Sequence, residues 1–214
     1  MKKVKALNQR SDLHLSRKAW HVGTGLFALY AFYYLEIPLD QMAKFGISFA
    51  LIAFSFEFLR LKNNSINSFF LKVGSRLLRQ DETDKISGLP YYAMGAGLSL
   101  LLFPKHIALI SIFFLIFADP FSSIMGILFG KNKILPNKSL EGCLSCWLIC
   151  YLICHLYLKS MGIVGLNAFV FSFIAGFMGA ISELVSFTKV DDNLSIPLVS
   201  GFSMFCLNYF FQLF

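Results

Sequence analysis

Charge is scarce in this chain. Of its 214 residues, 14% are Asp, Glu, Lys or Arg, 57% are apolar and 16% are aromatic. A soluble domain of this length needs more polar surface, so the composition does not fit a water-soluble globule. Acid is the scarcer sign: 12 Asp and Glu stand against 19 Lys and Arg, for a net charge of +7. There are five cysteines, and four of them fall in one apolar run, so a secreted disulfide framework does not fit. A cleavable signal peptide is not expected either. The first eighteen residues are long and polar, and no small-x-small site follows the first apolar run. Neither an internal repeat nor a low-complexity segment stands out, and a single domain over 1–214 is expected.

What the chain does have is a series of apolar runs near the length that spans a bilayer, about 20 residues. The reading is an all-α, polytopic transmembrane helical bundle of about seven spans, at 19–36, 42–59, 89–104, 106–128, 143–159, 163–184 and 194–213. The third is short, as expected for a tilted or partly re-entrant element, and Pro90 suits its first turn. The basic residues orient the bundle. With the N-terminus inside, the segments 1–18, 60–88, 129–142 and 185–193 hold sixteen Lys and Arg, while the outer loops hold only Lys44, Lys105 and Lys159. This places the N-terminus in the cytoplasm, with a basic arm over 1–18 and an interfacial segment over 60–88. The same distribution assigns the positive charge to topology and to anionic lipid or phosphate, and no nucleic-acid partner is expected. Within 65–79, Ile66, Phe69, Phe70, Val73 and Leu77 form one helical stripe. That pattern fits either a helix lying in the inner interface or a loop helix packed on the spans.

Candidate chemistry gathers on the inner side. Asp119 lies toward the inner end of a span, where a carboxylate is costly unless it faces a polar cavity or a partner. Pro120 follows and should loosen the helix, freeing backbone carbonyls. A Mg²⁺ held by one or two carboxylates plus substrate phosphates accounts for both features; a structural pair with a nearby lysine is the plainer alternative. Gly126, Gly130 and Lys131 come about two to three turns later. Glycine permits close approach of a ligand and lysine offers a point charge for phosphate, although helix packing explains the same pattern. The spacing gains weight beside Lys138, Ser139, Glu141 and Gly142. There Ser139 is expected to cap the next helix, whose start attracts phosphate. Arg17, Lys18 and His21 end the basic arm, with Arg17 and His21 on one face. Glu183 closes the sixth span, and Asp191, Asp192 and Asn193 open the seventh. These acids complete a metal site or simply cap a helix, and the sequence does not decide which aspartate points inward. Cys143, Cys146, Cys150 and Cys154 share a face of the fifth span. One helix cannot wrap four ligands around a tetrahedral metal, so they read as small packing residues. The clusters Gly95-Ala96-Gly97 and Ala175-Gly176 with Gly179-Ala180 read as sites of close helix approach.

Taken together, these pieces resemble the CTP-dependent polyprenol and lipid kinases: dolichol kinase, phytol kinase and the CTP-using diacylglycerol kinase. The match covers Arg17-Lys18-x-x-His21, Gly88 to Pro104, Ala118 to Lys131, Lys138 to Gly142, and Glu183 with Asp192-Asn193 to Pro197. The central stretch is also similar to phosphatidate cytidylyltransferases, but the longer C-terminal signature of those enzymes is lacking, which favours a kinase.

The resemblance implies an integral, multi-pass enzyme of a bacterial inner membrane or an endoplasmic-reticulum-type membrane, with its active site facing the cytoplasm. It would transfer a phosphoryl group from CTP, or another nucleoside triphosphate, to the hydroxyl of a membrane lipid alcohol. Asp119, Asp192 and Glu183 would hold Mg²⁺. Arg17, Lys18, Lys131 and Lys138, with Gly126, Gly130, Ser139, Glu141, Gly142 and Asn193, would bind nucleotide and phosphate. His21 and Asp191 are weaker candidates. A cytidylyltransferase and a non-enzymatic transporter or scaffold are the other classes considered. The crowding of acids and lysines at one face argues against transport.

Overall fold

The computed structural model describes residues 13–136, 138–185 and 190–214, and among these described residues the chain forms nine α-helices and one two-stranded hairpin. Most of the expected basic arm, residues 1–12, lies outside the described residues. The helices are α1 (Leu15–Tyr34), α2 (Leu39–Lys62), α3 (Asn64–Val73), α4 (Gly88–Leu102), α5 (Lys105–Phe113), α6 (Asp119–Phe129), α7 (Leu140–Ser160), α8 (Leu166–Val185) and α9 (Asp192–Phe211). Strands β1 (Lys133–Leu135) and β2 (Lys138–Ser139) pair antiparallel between α6 and α7. The all-helical expectation therefore holds, and the hairpin is an addition to it.

Among the described residues, five helical stretches are long and apolar enough to cross a bilayer: α2, the continuous run from Lys105 to Phe129, α7, α8 and α9. Helix α4 is apolar but has 15 residues, about 22 Å, against about 30 Å of hydrocarbon. Helix α1 has 20 residues but carries Arg17, Lys18 and His21 in its first two turns. The molecule is a multi-pass membrane protein built around the 105–129 stretch. Ile107, Ile110, Phe114 and Leu115 from that stretch are fully buried against Cys146, Cys150, Cys154 and Leu158 of α7, Phe171 and Ala175 of α8, and Ile196 and Met204 of α9. The cysteine face of α7 is thus core, and all four thiols are free.

Lipid is as apolar as leucine, so packing rather than water exclusion joins such helices, and small residues allow the closest packing. Gly46 of α2 meets the backbone of Gly97 on α4, where an added Cβ would stand 3.1 Å from the Gly97 Cα. Gly176 of α8 lies against the α7 backbone at Trp147 and Tyr151, and Gly179 lies against Cys150. Between α7 and α8 the chain reverses through Gly162 (φ 77°) and Gly165 (φ 99°), a backbone region that penalises any side chain.

The segment between α2 and α4 is ordered by a buried pair. Arg60 is fully buried and reaches Glu57 at 2.7 Å, Asn67 at 2.7 Å, and the carbonyls of Glu82 (3.0 Å) and Lys85 (2.7 Å). Glu57 in turn accepts hydrogen bonds from the amide and hydroxyl of Ser87, both at 2.9 Å. A buried ion pair is tolerated when such hydrogen bonds satisfy both charges. The amphipathic stripe is shorter than expected. Helix α3 stops at Gly74, leaving Ile66, Phe69 and Val73 exposed, while Phe70 turns inward against Phe56 and the Arg60 guanidinium.

Candidate functional site

Proline shapes the site from within the central helix. The turn before it, Phe114–Ala118, is a π-helix, a local widening that recurs at functional sites. In that register the carbonyl of Leu115 looks to the amide of residue 120, which is proline and has none. His21 supplies the missing donor: its Nε2 lies 3.0 Å from the Leu115 oxygen. A carbonyl only accepts, so Nε2 carries the proton. The ring is held by Tyr92 in an edge-on contact with centroids 4.4 Å apart. Asp119 follows the widened turn and begins α6. Asp119, Ser122, Gly126 and Gly130 recur at helical spacing and line one wall of an open cleft of about 370 Å³.

The opposite wall is the hairpin and the start of α7. Ser139 caps α7 as expected, its Oγ accepting from the amide of Gly142 at 3.2 Å. Gly142 sits so close to α6 that an added Cβ would lie 3.1 Å from the Ser122 carbonyl and 3.4 Å from the Gly126 Cα. The glycines thus serve helix approach and line the cleft at once. Between Gly130 and Ser139 the chain runs as β-structure rather than helix, and this changes which lysine faces inward. Lys133 lines the cleft, whereas Lys131 is exposed beside it and does not. Glu141 is likewise outside, accepting from the Asn132 amide at 3.2 Å and side chain at 2.9 Å, which ties the hairpin to α7.

At the base of the cleft, three distant segments meet on Lys138. Its Nζ reaches Glu183 Oε1 at 2.7 Å and Asp192 Oδ2 at 3.5 Å. Ser122 donates to the same Glu183 oxygen at 2.8 Å. Burial alone would lower the lysine's pKa, but the charges of Glu183, Asp192 and Asp119 outweigh it and hold it above the usual value. The two neighbouring aspartates divide their work. Asp192 lines the cleft, while Asp191 is the N-cap of α9 and accepts from the Asn193 amide at 3.0 Å and side chain at 2.7 Å. Burial, reinforced by the charge of Asp192, pushes Asp191 up to about 6. Asn193 itself packs against Gly88 and Gly95 of α4 and does not line the cleft.

The N-terminal cations are also differentiated. Arg17 is engaged by Glu82 in a two-pronged pair at 2.6 and 2.8 Å and by the Leu77 carbonyl at 3.1 Å. Glu82 also accepts from the backbone amides of Arg79 (2.9 Å) and Gly88 (3.3 Å). Arg17 therefore positions the loop that carries Arg79, and it is Arg79 that lines the cleft. Lys18 is buried, its Nζ bonded to the Leu13 carbonyl at 2.7 Å, and with His21 it lines a second, smaller cavity that also touches Asp119.

Sequence reasoning passed over Arg79, Ser122 and Ser123 as site residues. The serines were within reach, because Ser122 falls one turn after Asp119 on the glycine stripe. Arg79 carried no local signal, since a non-helical loop brings it in.

For a divalent cation, no group of three His, Cys, Asp or Glu side chains among the described residues is placed to hold one unaided. The donor set suits a hard cation that takes one or two carboxylates and completes its shell with phosphate and water.

The chain is similar along most of its length to three proteins named CTP-dependent diacylglycerol kinase 1. That of Schizosaccharomyces pombe is 30% identical over 94% of this chain and 95% of its own. Those of Eremothecium gossypii and Saccharomyces cerevisiae are each 26% identical, over 92% and 89% of this chain and 68% and 72% of theirs. No family model and no solved structure matches.

Proposed function

From the premise that this chain belongs to the family of CTP-dependent lipid kinases, we propose that it transfers the γ-phosphoryl group of CTP to the free hydroxyl of diacylglycerol. The observation that carries the reading is the meeting of the hairpin, α8 and α9 on Lys138, with Asp119 and Ser122 of α6 in the same cleft. From Asp119 to Gly130 the cleft follows α6 for about 16 Å, a length suited to a nucleotide laid along the helix.

In this reading Lys138 and Lys133 face the triphosphate. Glu183 accepts from both Lys138 and Ser122 through its Oε1, which orients the lysine toward the triphosphate. Asp119 and Asp192 would hold Mg²⁺, which when bound neutralises phosphate charge. The lipid oxygen bonds to the γ-phosphorus while the bond from that phosphorus to the β,γ-bridging oxygen breaks. CDP departs with the electron pair, and the hydroxyl proton passes to a carboxylate, Asp119 or Asp192. Positioning and charge stabilisation supply most of the rate. The positive-inside distribution of lysine and arginine supports a cytoplasmic site, where CTP is found.

The test is the purified protein with CTP or ATP labelled at the γ-phosphate and a panel of diacylglycerol, dolichol and phytol. Labelled phosphatidate with CDP is the expected pair of products. A CDP-lipid with pyrophosphate, or no lipid product from any of the alcohols, would refute the reading.

A further inference from the structure

Three residues of the large cleft, Asp119, Arg79 and Ser123, also line the second cavity, which lies on the α1 side. That cavity is about 20 Å³, and its remaining wall comes from His14, Arg17, Lys18, His21 and Pro120. A space of ~10–15 Å³ is enough for one water, so this one fits a single hydroxyl and is too small for a base, a ribose or a whole phosphate group. We propose that it receives the acceptor hydroxyl, so that nucleotide and lipid approach Asp119 from opposite sides of α6. The inference rests on the kinase reading above and adds to it where the lipid binds.

The surroundings fit a lipid. Helix α1 packs mainly on the π-turn and α6. It turns Trp20 and Phe27 outward, and between them Gly23 leaves open space with nothing within 4 Å of where a Cβ would stand. Phe121 and Leu128 are exposed on α6. In this proposal a glycerol lipid enters between α1 and α6, its acyl chains staying in the bilayer and its hydroxyl reaching the second cavity. Lys18 then lies beside the lipid's glycerol region, not beside the base or ribose of CTP. Arg79, shared by both cavities, stands where the phosphoryl group passes between them.

The full-length protein in nanodiscs can be labelled with a diacylglycerol bearing a diazirine near the glycerol. The expected label saturates, is displaced by excess unmodified diacylglycerol, and falls on residues 14–27 and 119–128. Saturable, displaceable label confined to the hairpin and α7, or to helices distant from α1, overturns the proposal. So does label that no diacylglycerol displaces. Kinetics give an independent arm that does not depend on the label. Lys18→Met is expected to raise the KM for diacylglycerol at least fivefold with the KM for CTP within twofold; a proportional change in both, or in CTP alone, overturns the assignment. If that variant does not fold, labelling of the unaltered protein decides. A protein that phosphorylates no lipid yet shows the expected label refutes the kinase reading and leaves the lipid site standing. One that phosphorylates diacylglycerol but labels elsewhere refutes only the site.

Discussion

The Nε2 of His21 lies 3.0 Å from the carbonyl oxygen of Leu115, a residue 94 positions away in the chain and the acceptor that Pro120 leaves unmet. An unmet buried carbonyl costs about 1–3 kcal/mol, and here it lies within the turn that aims Asp119. His21→Phe should therefore lower kcat roughly tenfold with little change in the KM for CTP, because no contact to the nucleotide is lost. His21→Gln, which can still donate, should recover part of the rate. Steady-state kinetics on both variants decide: equal loss in both, with a large rise in the KM for CTP, would return His21 to the phosphate-binding set.

Lys138 and Glu183 form a second testable unit. Removing one partner of a buried pair costs about 3–5 kcal/mol, because the other is left charged and alone. Lys138→Met should lower both the thermal midpoint in detergent and the turnover. Adding Glu183→Gln to it should restore much of the midpoint and none of the turnover. Recovery of activity in the double variant would mean that Lys138 serves stability alone.

Asp119→Asn should insert into membranes normally and lose turnover by at least about a hundredfold, as expected when a metal's charge partner is removed. A strong chelator should abolish activity of the unaltered protein, and added Mg²⁺ should restore it. Activity that survives chelation would argue against the proposed cation, and near-normal turnover of Asp119→Asn would remove that residue from the site.

The pair between Arg17 and Glu82 predicts a pH dependence of stability. Burial alone would raise the Glu82 pKa, but the hydrogen bonds and charge of Arg17 outweigh it, so the carboxyl sits below its ordinary 4.5. A group depressed in the folded state contributes stability above its unfolded pKa and loses that contribution as pH falls through the folded value. The thermal midpoint should therefore drop on acidification below about pH 4.5, and it should do so less steeply in Glu82→Gln. Parallel curves for the two proteins would show that this pair does not carry the effect.

Much of this was legible because membrane helices announce themselves by length and composition. The 105–129 stretch, α7, the cap at Ser139 and the core role of Cys146, Cys150 and Cys154 followed from apolar runs, spacing and residue type. Asp119, Lys138, Glu183 and Asp192, which come from four separate segments, line one cleft. Other features depended on geometry that no local pattern encodes. The hairpin exchanges Lys131 for Lys133 because strand pairing, not helical periodicity, sets which side chains face inward. Arg17 looked like a phosphate ligand until its partner, Glu82, was supplied by a segment sixty-five residues away. Arg60 and Glu57 carried no signal in the sequence, since the loop carbonyls that accept from Arg60 and the Ser87 groups that donate to Glu57 are brought near only by the folded chain.

That buried arginine has a consequence for how substrates come and go. By gripping the carbonyls of Glu82, Thr83 and Lys85 from beneath, Arg60 anchors the stretch next to Arg79 to the end of α2. The wall on that side is fixed masonry. The facing hairpin is tied instead through Lys138 to Glu183 and Asp192, and beside it Asn132 is tied to Glu141. In the proposed reaction a triphosphate competes with those two acids for Lys138, so the widening that admits CTP or releases CDP is expected on the hairpin side, away from α1.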